Sequence, residues 1–169
     1  MKKVIFSFAA ILMCLLMFTA CGGGENTPET TAPAKADISL TEALDKINTE
    51  FFDGGSAMKL IESEDKFEAY YGISPDDVTE FAAEVSKNSA TEIDEVVLVK
   101  AVDSDAAKRI AECLELRLQT QKDLCASYSP ELLAVADKCS VRTEGNIVTL
   151  IICDNFSEVS DFCDDLIFG

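Results

Sequence analysis

The sequence predicts an α+β domain over residues 38–169, in which a small, mostly antiparallel sheet of three to four strands packs against one long helix, with further helices at both ends. Three observations predict this fold class. The segment DEVVLVKAV, residues 94–102, is β-branched and apolar on both faces, as in an interior strand. A long amphipathic helix pattern follows it, and CSVRTEGNIVTLIIC, residues 139–153, has the pattern of a hairpin. The 132 residues of this segment are an ordinary length for one domain with its own core.

Two helices are predicted at the start of the domain. Ser39 is a suitable cap for the first, Gly54 and Gly55 end it, and its apolar residues recur at helical spacing: Leu40, Leu44, Ile47 and Phe51. A short second helix is predicted over residues 64–71, and Gly72 ends it.

The segment SPDDVTEFAAEVSKN, residues 74–88, fits two patterns. A cap at Ser74 and a proline at position 75 favour a helix, as does the spacing of Val78, Phe81, Ala82 and Val85. An alternation favours a strand, in which apolar residues at 81, 83 and 85 are interleaved with Glu80, Glu84 and Ser86. We expect a helical first turn that leads into a strand, and the choice between strand and helix over 78–88 stays open.

Three further helices are predicted in the second half of the chain. Asp103, Ser104 and Asp105 form a cap for the long helix over about residues 105–126, which has an apolar stripe made of Ala107, Ile110, Ala111, Leu114, Leu118 and Cys125. Ser129 and Pro130 begin a shorter helix that reaches Ala136. The last helix can cover a face of the sheet with Phe156, Val159, Phe162, Cys163, Leu166 and Ile167.

The hairpin prediction includes its register. Gly145 and Asn146 suit a two-residue type II′ turn, which needs glycine at its first central position. This turn pairs residue 144 with 147, 142 with 149, 141 with 150 and 139 with 152. One face of the hairpin should then be core: Cys139, Val141, Thr143, Val148, Leu150 and Ile152. Cys153 falls on the other face, so the register argues against a disulfide between Cys139 and Cys153.

Residues 1–20 have the layout of a secretory signal peptide. Lys2 and Lys3 precede an apolar run over residues 4–18, and Thr19 and Ala20 are small. A membrane-spanning helix is the competing interpretation, because the 17 residues of 4–20 lie at the lower limit of a bilayer span of about 17 to 25 residues.

The residues around Cys21 favour the signal peptide. Phe18-Thr19-Ala20-Cys21 resembles the lipobox of bacterial lipoproteins, in which a peptidase cuts before a cysteine that carries a diacylglycerol thioether. Phe18 departs mildly from the usual leucine. We therefore expect Cys21 to be the lipid attachment site, with acyl chains such as palmitate holding the protein at the outer face of the cell membrane. Residues 21–37, rich in Gly, Thr, Pro and Ala, are the predicted lipidated flexible tether.

The charge of the chain excludes some partners. After loss of residues 1–20 the chain keeps 12 basic and 31 acidic residues, a formal charge of −19. Such a surface repels nucleic acid and anionic lipid headgroups, so we expect no nucleic-acid partner and a membrane contact made through the lipid on Cys21. Solubility is the simpler explanation of the acidity, ahead of a specific cationic ligand.

The cysteines leave two interpretations open. Five remain in the domain, and an odd number cannot all pair within one chain: Cys113, Cys125, Cys139, Cys153 and Cys163. Buried free thiols that pack as small hydrophobic groups are the simpler interpretation. A thiol-based redox protein is the alternative.

No catalytic, cofactor or metal site is predicted. The chain has no histidine, the commonest general base and metal ligand. Carboxylate pairs occur at Asp76-Asp77, Glu92 with Asp94, Asp103 with Asp105, and Asp164-Asp165. A glycosidase would need two carboxylates across a cleft, and a calcium loop would need turn glycines that the Asp103 segment lacks, so a helix cap is the simpler role there.

A few other polar side chains have two possible roles. Lys100 within the apolar strand is either a functional amine or a lysine that extends to solvent. Tyr70, Tyr71 and Tyr128 either line a groove or close the ends of the core. Arg117 and Gln121, four residues apart on the long helix, either face a polar partner or belong to an exposed helix face.

Several segments in order carry a family resemblance. YYGIS, DEVVLVKA, the helix with Arg117 and Gln121, SYSPE and GNIVTLIIC follow a lipobox and a Thr/Pro tether. In this order, over about residues 38–169, the chain resembles an uncharacterised family of lipoproteins of Gram-positive anaerobes, domain of unknown function 4358. The resemblance implies the succession of strand, long helix and hairpin and a location at the cell surface, and it implies no catalytic residue.

Together these observations favour a lipid-anchored extracytoplasmic protein that is a non-catalytic binding or accessory module of the cell envelope. Its expected partners are an envelope protein or a small ligand that the sequence does not identify. The alternative is an envelope hydrolase that uses paired carboxylates. Two facing carboxylates with raised pKa values in a concave pocket would favour the hydrolase.

Overall fold

A five-stranded antiparallel sheet forms the centre of the domain. The computed structural model describes residues 38–169, so the predicted signal peptide over 1–20 and the tether over 21–37, Cys21 included, lie outside the described residues. The strands are β1 (Met58–Leu60), β2 (Val78–Ser86), β3 (Glu95–Ala101), β4 (Val141–Glu144) and β5 (Ile147–Ile152). Their spatial order is β1-β2-β3-β5-β4, and every neighbouring pair is antiparallel. The predicted α+β class is confirmed, and the sheet has one strand more than the predicted three to four.

Five helices cover the two faces of the sheet. They are α1 (Leu40–Phe51), α2 (Glu64–Tyr71), α3 (Ser104–Tyr128), α4 (Pro130–Ala136) and α5 (Phe156–Ile167). α1 and α5 pack on one face, while α2, α3 and α4 pack on the other. Local sequence explains their ends: the side chains of Ser39, Asp103 and Ser129 accept hydrogen bonds from backbone N–H groups of α1, α3 and α4. Gly72 ends α2 in the left-handed conformation, with φ of 68°.

Residues 74–88, whose sequence fits both a helix and a strand, form a helical turn followed by a strand. Pro75–Asp77 forms one 3-10 turn, and β2 follows it directly. The strand forms because β3 pairs with it over most of its length and β1 pairs with its last three residues, Glu84 to Ser86, which satisfies many of its backbone groups. Its apolar side chains at 81, 83 and 85 face α3, and Ala82 and Glu84 face α1. The polar face of the alternation is therefore covered by a helix.

Two apolar cores lie on the two faces of the central strand β3. Val97, Val99 and Ala101 belong to the core under α3, while Val96 and Leu98 belong to the core under α1 and α5. All five are at most 3% exposed, as expected for an interior strand covered on both sides. The first core also receives the apolar stripe of α3, including Ile110, Leu114, Leu118 and Cys125.

The hairpin of β4 and β5 has the predicted register. Val141 pairs with Leu150, Arg142 with Thr149 and Glu144 with Ile147. Gly145 has φ of 57°, as the first central position of a type II′ turn requires. The predicted core face is buried except at its outer end, where Val141 is half-buried and Thr143 is exposed because β4 is the edge strand. Cys139 and Cys153 lie in different cores as free thiols.

Candidate functional site

A buried carboxylate lies at the beginning of the central strand. Glu95 is the first residue of β3, pairs with Val85 of β2 and Ile152 of β5, and is 1% exposed. Its side chain points to the α3 face, like those of Val97 and Val99. A carboxylate in such a place needs a charged partner or strong hydrogen bonds, because burial removes its hydration.

Arg117 of α3 is that partner. Its Nη2 lies 2.8 Å from Glu95 Oε2, and its Nε lies 3.1 Å from Oε1 and 3.2 Å from Oε2, so one edge of the guanidinium group contacts the carboxylate through two nitrogen atoms. Gln121, one helical turn further on, donates from Nε2 to Glu95 Oε2 at 3.3 Å. Burial alone would lower the pKa of Arg117, but the hydrogen bonds and charge of Glu95 outweigh it and raise that pKa.

Tyr71 adds an aromatic ring to the same cluster. The guanidinium carbon of Arg117 lies 6.0 Å from the centre of the Tyr71 ring, within the range of a cation–π contact. The tyrosine hydroxyl is buried close to the Glu95 carboxylate. Burial first, and the charge of Glu95 second, raise the pKa of Tyr71, so this hydroxyl stays protonated.

An open cleft of about 400 Å³ lies above this cluster, and we call it the α3 cleft. Both signs of charge line it: the cations are Lys59, Lys87 and Arg117, and the carboxylates are Glu92, Asp94 and Glu95. Tyr70 and Leu124 add exposed apolar surface to its lining. The cleft can therefore contact a ligand that carries both charges and apolar groups.

The structure brings Glu92 and Asp94, one of the predicted carboxylate pairs, into the lining of the α3 cleft. Ser86 donates a hydrogen bond from Oγ to Glu92 Oε2 at 2.7 Å. Burial first, and the charges of Glu92 and Asp154 second, raise the pKa of Asp94.

The other predicted carboxylate pairs lie outside the cleft lining. Asp77 forms an ion pair with Arg109, with Oδ1 2.5 Å from Nη2. Asp103 caps α3, where its Oδ1 accepts from the N–H groups of Asp105 and Ala106, so the prediction of a cap is confirmed. Asp164 pairs with Arg142. Within residues 38–169, no group of three His, Cys, Asp or Glu side chains could hold a metal ion.

An apolar stripe on the outer surface of α3 continues past the cleft. Leu116, Leu124 and Tyr128 are exposed and follow at intervals of eight and four residues, so they share one helix face. Of the two roles considered for the tyrosines, closing an end of the core is right for Tyr71 and wrong for Tyr128, whereas Tyr70 lines the α3 cleft. Tyr128 is the last residue of α3 and lies one turn after the exposed Leu124, away from the buried stripe.

The remaining candidates have structural roles. Lys100 is half-buried in β3, opposite Glu80 and Ile147. Cys125, Cys139, Cys153 and Cys163 are buried free thiols, and Cys113 is half-buried. Burial raises the pKa of each thiol, to about 12 for Cys153 and Cys163, so the thiols are protonated at neutral pH and are weak nucleophiles.

The sequence reasoning identified Arg117 and Gln121 but missed their partner. Glu95 is a single carboxylate at the start of a strand whose other residues are mostly apolar on both faces, and this signal was available. An ionised side chain at a position covered on both sides predicts a cation on the helix above it. The four-residue spacing of Arg117 and Gln121 fits that role.

The comparisons with known proteins extend the description of this region. The family model described as Domain of unknown function (DUF4358) matches residues 53–153, and the match includes every residue that lines the α3 cleft. The chain matches no curated protein and no solved structure. Within the described residues, no helix has both the length and the apolar character needed to cross a membrane.

Proposed function

This chain belongs to the family described as Domain of unknown function (DUF4358), and we propose that it is a lipid-anchored extracytoplasmic binding module whose α3 cleft recognises a segment of another envelope protein. The family description carries no activity, so the proposal is argued from the residues of this chain.

The buried ion pair of Glu95 and Arg117 is the observation that carries the proposal. Two well-packed apolar side chains would hold β3 and α3 together as well or better, because a buried ion pair scarcely repays its desolvation. An ion pair at the base of an open cleft fixes the direction of the guanidinium group instead, and it leaves charge and hydrogen-bond donors facing the cleft. It also commits the Glu95 carboxylate to Arg117 and Gln121, which makes it unsuitable as a general acid or base.

The lining of the cleft fits a polypeptide. Cations and carboxylates lie side by side, and the apolar surface of Tyr70 and Leu124 continues along α3 to Tyr128. Protein segments combine charged and apolar side chains in this way, and aromatic and arginine side chains are enriched at the centres of protein interfaces.

The predicted lipid anchor and tether would determine how far the domain can reach from the membrane surface. A flexible tether of seventeen residues, as predicted for 21–37, would have a root-mean-square length of about 20 to 25 Å. Two acyl chains on Cys21 would keep the domain at the membrane, since each buried methylene contributes about 0.8 kcal/mol. The domain would then search the space next to the outer membrane face for its partner.

The anchor is tested with the variant Cys21→Ala in the native host. We expect the unaltered protein in the membrane fraction with the mass of a diacylglycerol adduct on a chain that begins at Cys21. We expect Cys21→Ala to lack this adduct. An unmodified Cys21, or a Cys21→Ala protein that is still cut before residue 21 and membrane-bound, would refute the anchor.

The cleft is tested with a photoreactive amino acid in place of Leu124. The matched control carries the same group in place of Val102, because Val102 is equally exposed, at 48% against 51%, and does not line the cleft. We expect irradiation of intact cells to link one envelope protein to position 124 and not to position 102. Linking at both positions, or at neither, contradicts the proposal, and a small-molecule adduct at 124 alone would replace the protein partner by a small ligand.

The alternative of an envelope hydrolase has one observation in its favour. Glu92 and Asp94 line the same cleft, and the pKa of Asp94 is raised. The test is release of soluble fragments from purified cell walls by the protein and by Glu92→Gln and Asp94→Asn. Release that either substitution abolishes would establish the hydrolase in place of the binding module.

A further inference from the structure

The guanidinium group of Arg117 has hydrogen-bond donors that the fold does not use. Glu95 accepts from Nε and Nη2, and Nη1 makes no hydrogen bond with any residue in 38–169. Nη1 is also accessible to solvent, on a side chain that lines the α3 cleft and is 20% exposed. In the proposed function a segment of another protein occupies this cleft, and the chemistry that these donors indicate for the segment rests on that proposal.

Lys59 supplies a second cation at the same level of the cleft. It pairs with Val85 of β2, and Val85 pairs with Glu95 of β3, so the three side chains form one row across the α3 face of the sheet. Lys59 lies two strands from Glu95, at about 10 Å. It is exposed and forms no ion pair within the described residues, whereas Lys87 donates to a backbone carbonyl. A carboxylate above Val85 can therefore be contacted by both Lys59 and Arg117.

The carboxylates of the cleft lining do not use these two cations in full. Glu95 is held by one edge of the Arg117 guanidinium group, and Glu92 accepts a hydrogen bond from a serine hydroxyl. Neither Glu92 nor Asp94 forms an ion pair with a lysine or arginine of the described residues. Arg117 Nη1 and Lys59 Nζ thus remain as positively charged donors, and a carboxylate is the group in proteins that such donors bind.

Arg117 begins a row of side chains along the outer surface of α3. Gln121, Leu124 and Tyr128 follow it at intervals of four, three and four residues, so the four share one face of the helix, and we call them the Arg117 row. The row is about 16 Å long. Exposure increases along it, from the half-buried Arg117 in the cleft to Leu124 at 51% and Tyr128 at 85%. The row is therefore polar at its deep end and apolar at its exposed end.

The spacing of the Arg117 row fits a second helix. Intervals of four and three residues are those at which two packed helices interdigitate their side chains, with one contact at each turn. A helix that carries an acidic side chain and then apolar side chains at these intervals matches the row in charge and in apolar surface. Its carboxylate reaches Arg117 and Lys59, and its apolar side chains cover Leu124 and Tyr128.

A second copy of this chain is a poorer occupant. The Arg117 row contains no carboxylate, so the same row on another copy offers Arg117 no acidic partner. The formal charge of −17 also makes two copies repel each other. The complementary helix therefore belongs to a different protein.

We propose that the α3 cleft binds an amphipathic helix of another envelope protein, with one Asp or Glu side chain of that helix between Arg117 Nη1 and Lys59 Nζ and its apolar side chains on Leu124 and Tyr128.

The first test maps the bound segment in intact cells. A photoreactive amino acid replaces Leu124 in one full-length variant and Tyr128 in another, and mass spectrometry identifies the linked residues. We expect one segment of one protein, linked at sites three or four residues apart. An Asp or Glu should lie about seven residues from the site linked to position 124, on the side away from the site linked to position 128.

Three results of this mapping would overturn the helix. They are linked sites two residues apart, as in an extended chain, a segment without the acidic residue, and a second copy of this chain at both positions. Failure to link any protein would remove the proposed function as well, so the two failures are distinguishable.

The second test measures the contact between the acidic residue and Arg117. A synthetic peptide of the linked segment is titrated with the full-length chain in a non-ionic detergent, and fluorescence anisotropy gives its affinity. The double variant Glu95→Leu and Arg117→Leu removes the guanidinium group without changing the net charge. The matched control, Asp77→Leu and Arg109→Leu, removes an ion pair of α3 outside the cleft. We expect affinity to fall about tenfold or more in the first double variant and less than about twofold in the control.

A peptide with the acidic residue replaced by its amide completes this test. We expect it to bind the unaltered chain about tenfold more weakly, and to lose little further affinity for the variant without the guanidinium group, because both changes remove the same contact. Losses that multiply would show that the carboxylate binds elsewhere, and they would overturn the inference while the proposed function stands. If that variant does not fold, Lys59→Gln takes its place, since Lys59 is exposed, and the same comparison of the two peptides decides the outcome.

Discussion

At the scale of single residues, the pair of Glu95 and Arg117 gives the first prediction. Arg117→Leu leaves the Glu95 carboxylate charged and buried, so we expect the free energy of unfolding to fall by about 3 to 5 kcal/mol. Adding Glu95→Leu removes the stranded charge, and we expect the double variant to recover most of that loss. Urea unfolding followed by circular dichroism measures both changes.

The matched control for this prediction is Arg109→Leu. Arg109 also pairs with a carboxylate, that of Asp77, but its side chain is mostly exposed. Its loss should therefore destabilise the protein far less than the loss of Arg117. A double variant as unstable as Arg117→Leu alone would show that the ion pair itself stabilises the fold.

The thiols give a second prediction at this scale. Burial raises the pKa of all five domain cysteines, and Cys113, which is half-buried, is the most accessible of them. Iodoacetamide at pH 7.5 should therefore modify Cys113 first and slowly, and modify the other four only after unfolding. Peptide mass mapping gives the order, and rapid labelling of two thiols in the folded protein would instead support the redox alternative.

Single residues also show where sequence reasoning reaches its limit. Arg117 and Gln121 could be selected as candidates because a helix pattern places them on one face. The burial of Glu84 could not be predicted, because a charged residue that alternates with apolar neighbours in a strand usually faces solvent. α1 covers that face, and which helix covers which face is decided by contacts distant in sequence.

At the scale of secondary-structure elements, the long helix α3 depends on its cap. Asp103 Oδ1 accepts from the N–H groups of Asp105 at 3.0 Å and Ala106 at 2.8 Å. We expect Asp103→Ala to lower the free energy of unfolding by about 0.5 to 2 kcal/mol. Asp105→Ala, the control, removes an exposed pair with Lys108 and should cost much less. Calcium should not change the free energy of unfolding of the unaltered protein. Stabilisation by calcium would instead support a calcium site at the Asp103 segment.

Elements were predictable where a local signal decides them. The hairpin register follows from one glycine, because a two-residue turn at Gly145 determines every pair in β4 and β5. β1 was missed because its three residues, Met58–Leu60, are too few to show an alternation. It exists because the edge of β2 is available for pairing, and a partner distant in sequence leaves no local pattern.

At the scale of the whole molecule, the raised carboxyl pKa values predict how stability depends on pH. Burial raises the pKa of Glu84 and Asp94 above their ordinary values, so the folded state binds these protons more tightly than the unfolded state does. These two groups contribute their full stabilisation at pH values below their ordinary pKa values. The contribution is lost as the pH rises through their pKa values in the folded protein. We expect the free energy of unfolding to fall as the pH rises above the ordinary pKa values of these groups, 4.5 for Glu84 and 3.8 for Asp94.

Two other carboxyl groups act in the opposite direction at lower pH. The pKa values of Asp77 and Asp105 are lowered by hydrogen bonds to Arg109 and Lys108, so their contribution is lost only below the ordinary value of 3.8. Urea midpoints measured across the range test the slope. The double variant Glu84→Gln and Asp94→Asn should flatten it, and an unchanged slope would assign the effect to the general repulsion of an acidic chain.

The order of the strands affects how copies of the domain behave at high concentration. The two outer strands are the shortest in the sheet, with three residues in β1 and four in β4. They also bear charge: Lys59 lies in the middle of β1, and Arg142 and Glu144 lie in β4. Short, charged edges are poor templates for adding a strand from another molecule. Copies of the domain can therefore collide at high concentration and separate again, without joining their sheets into aggregates.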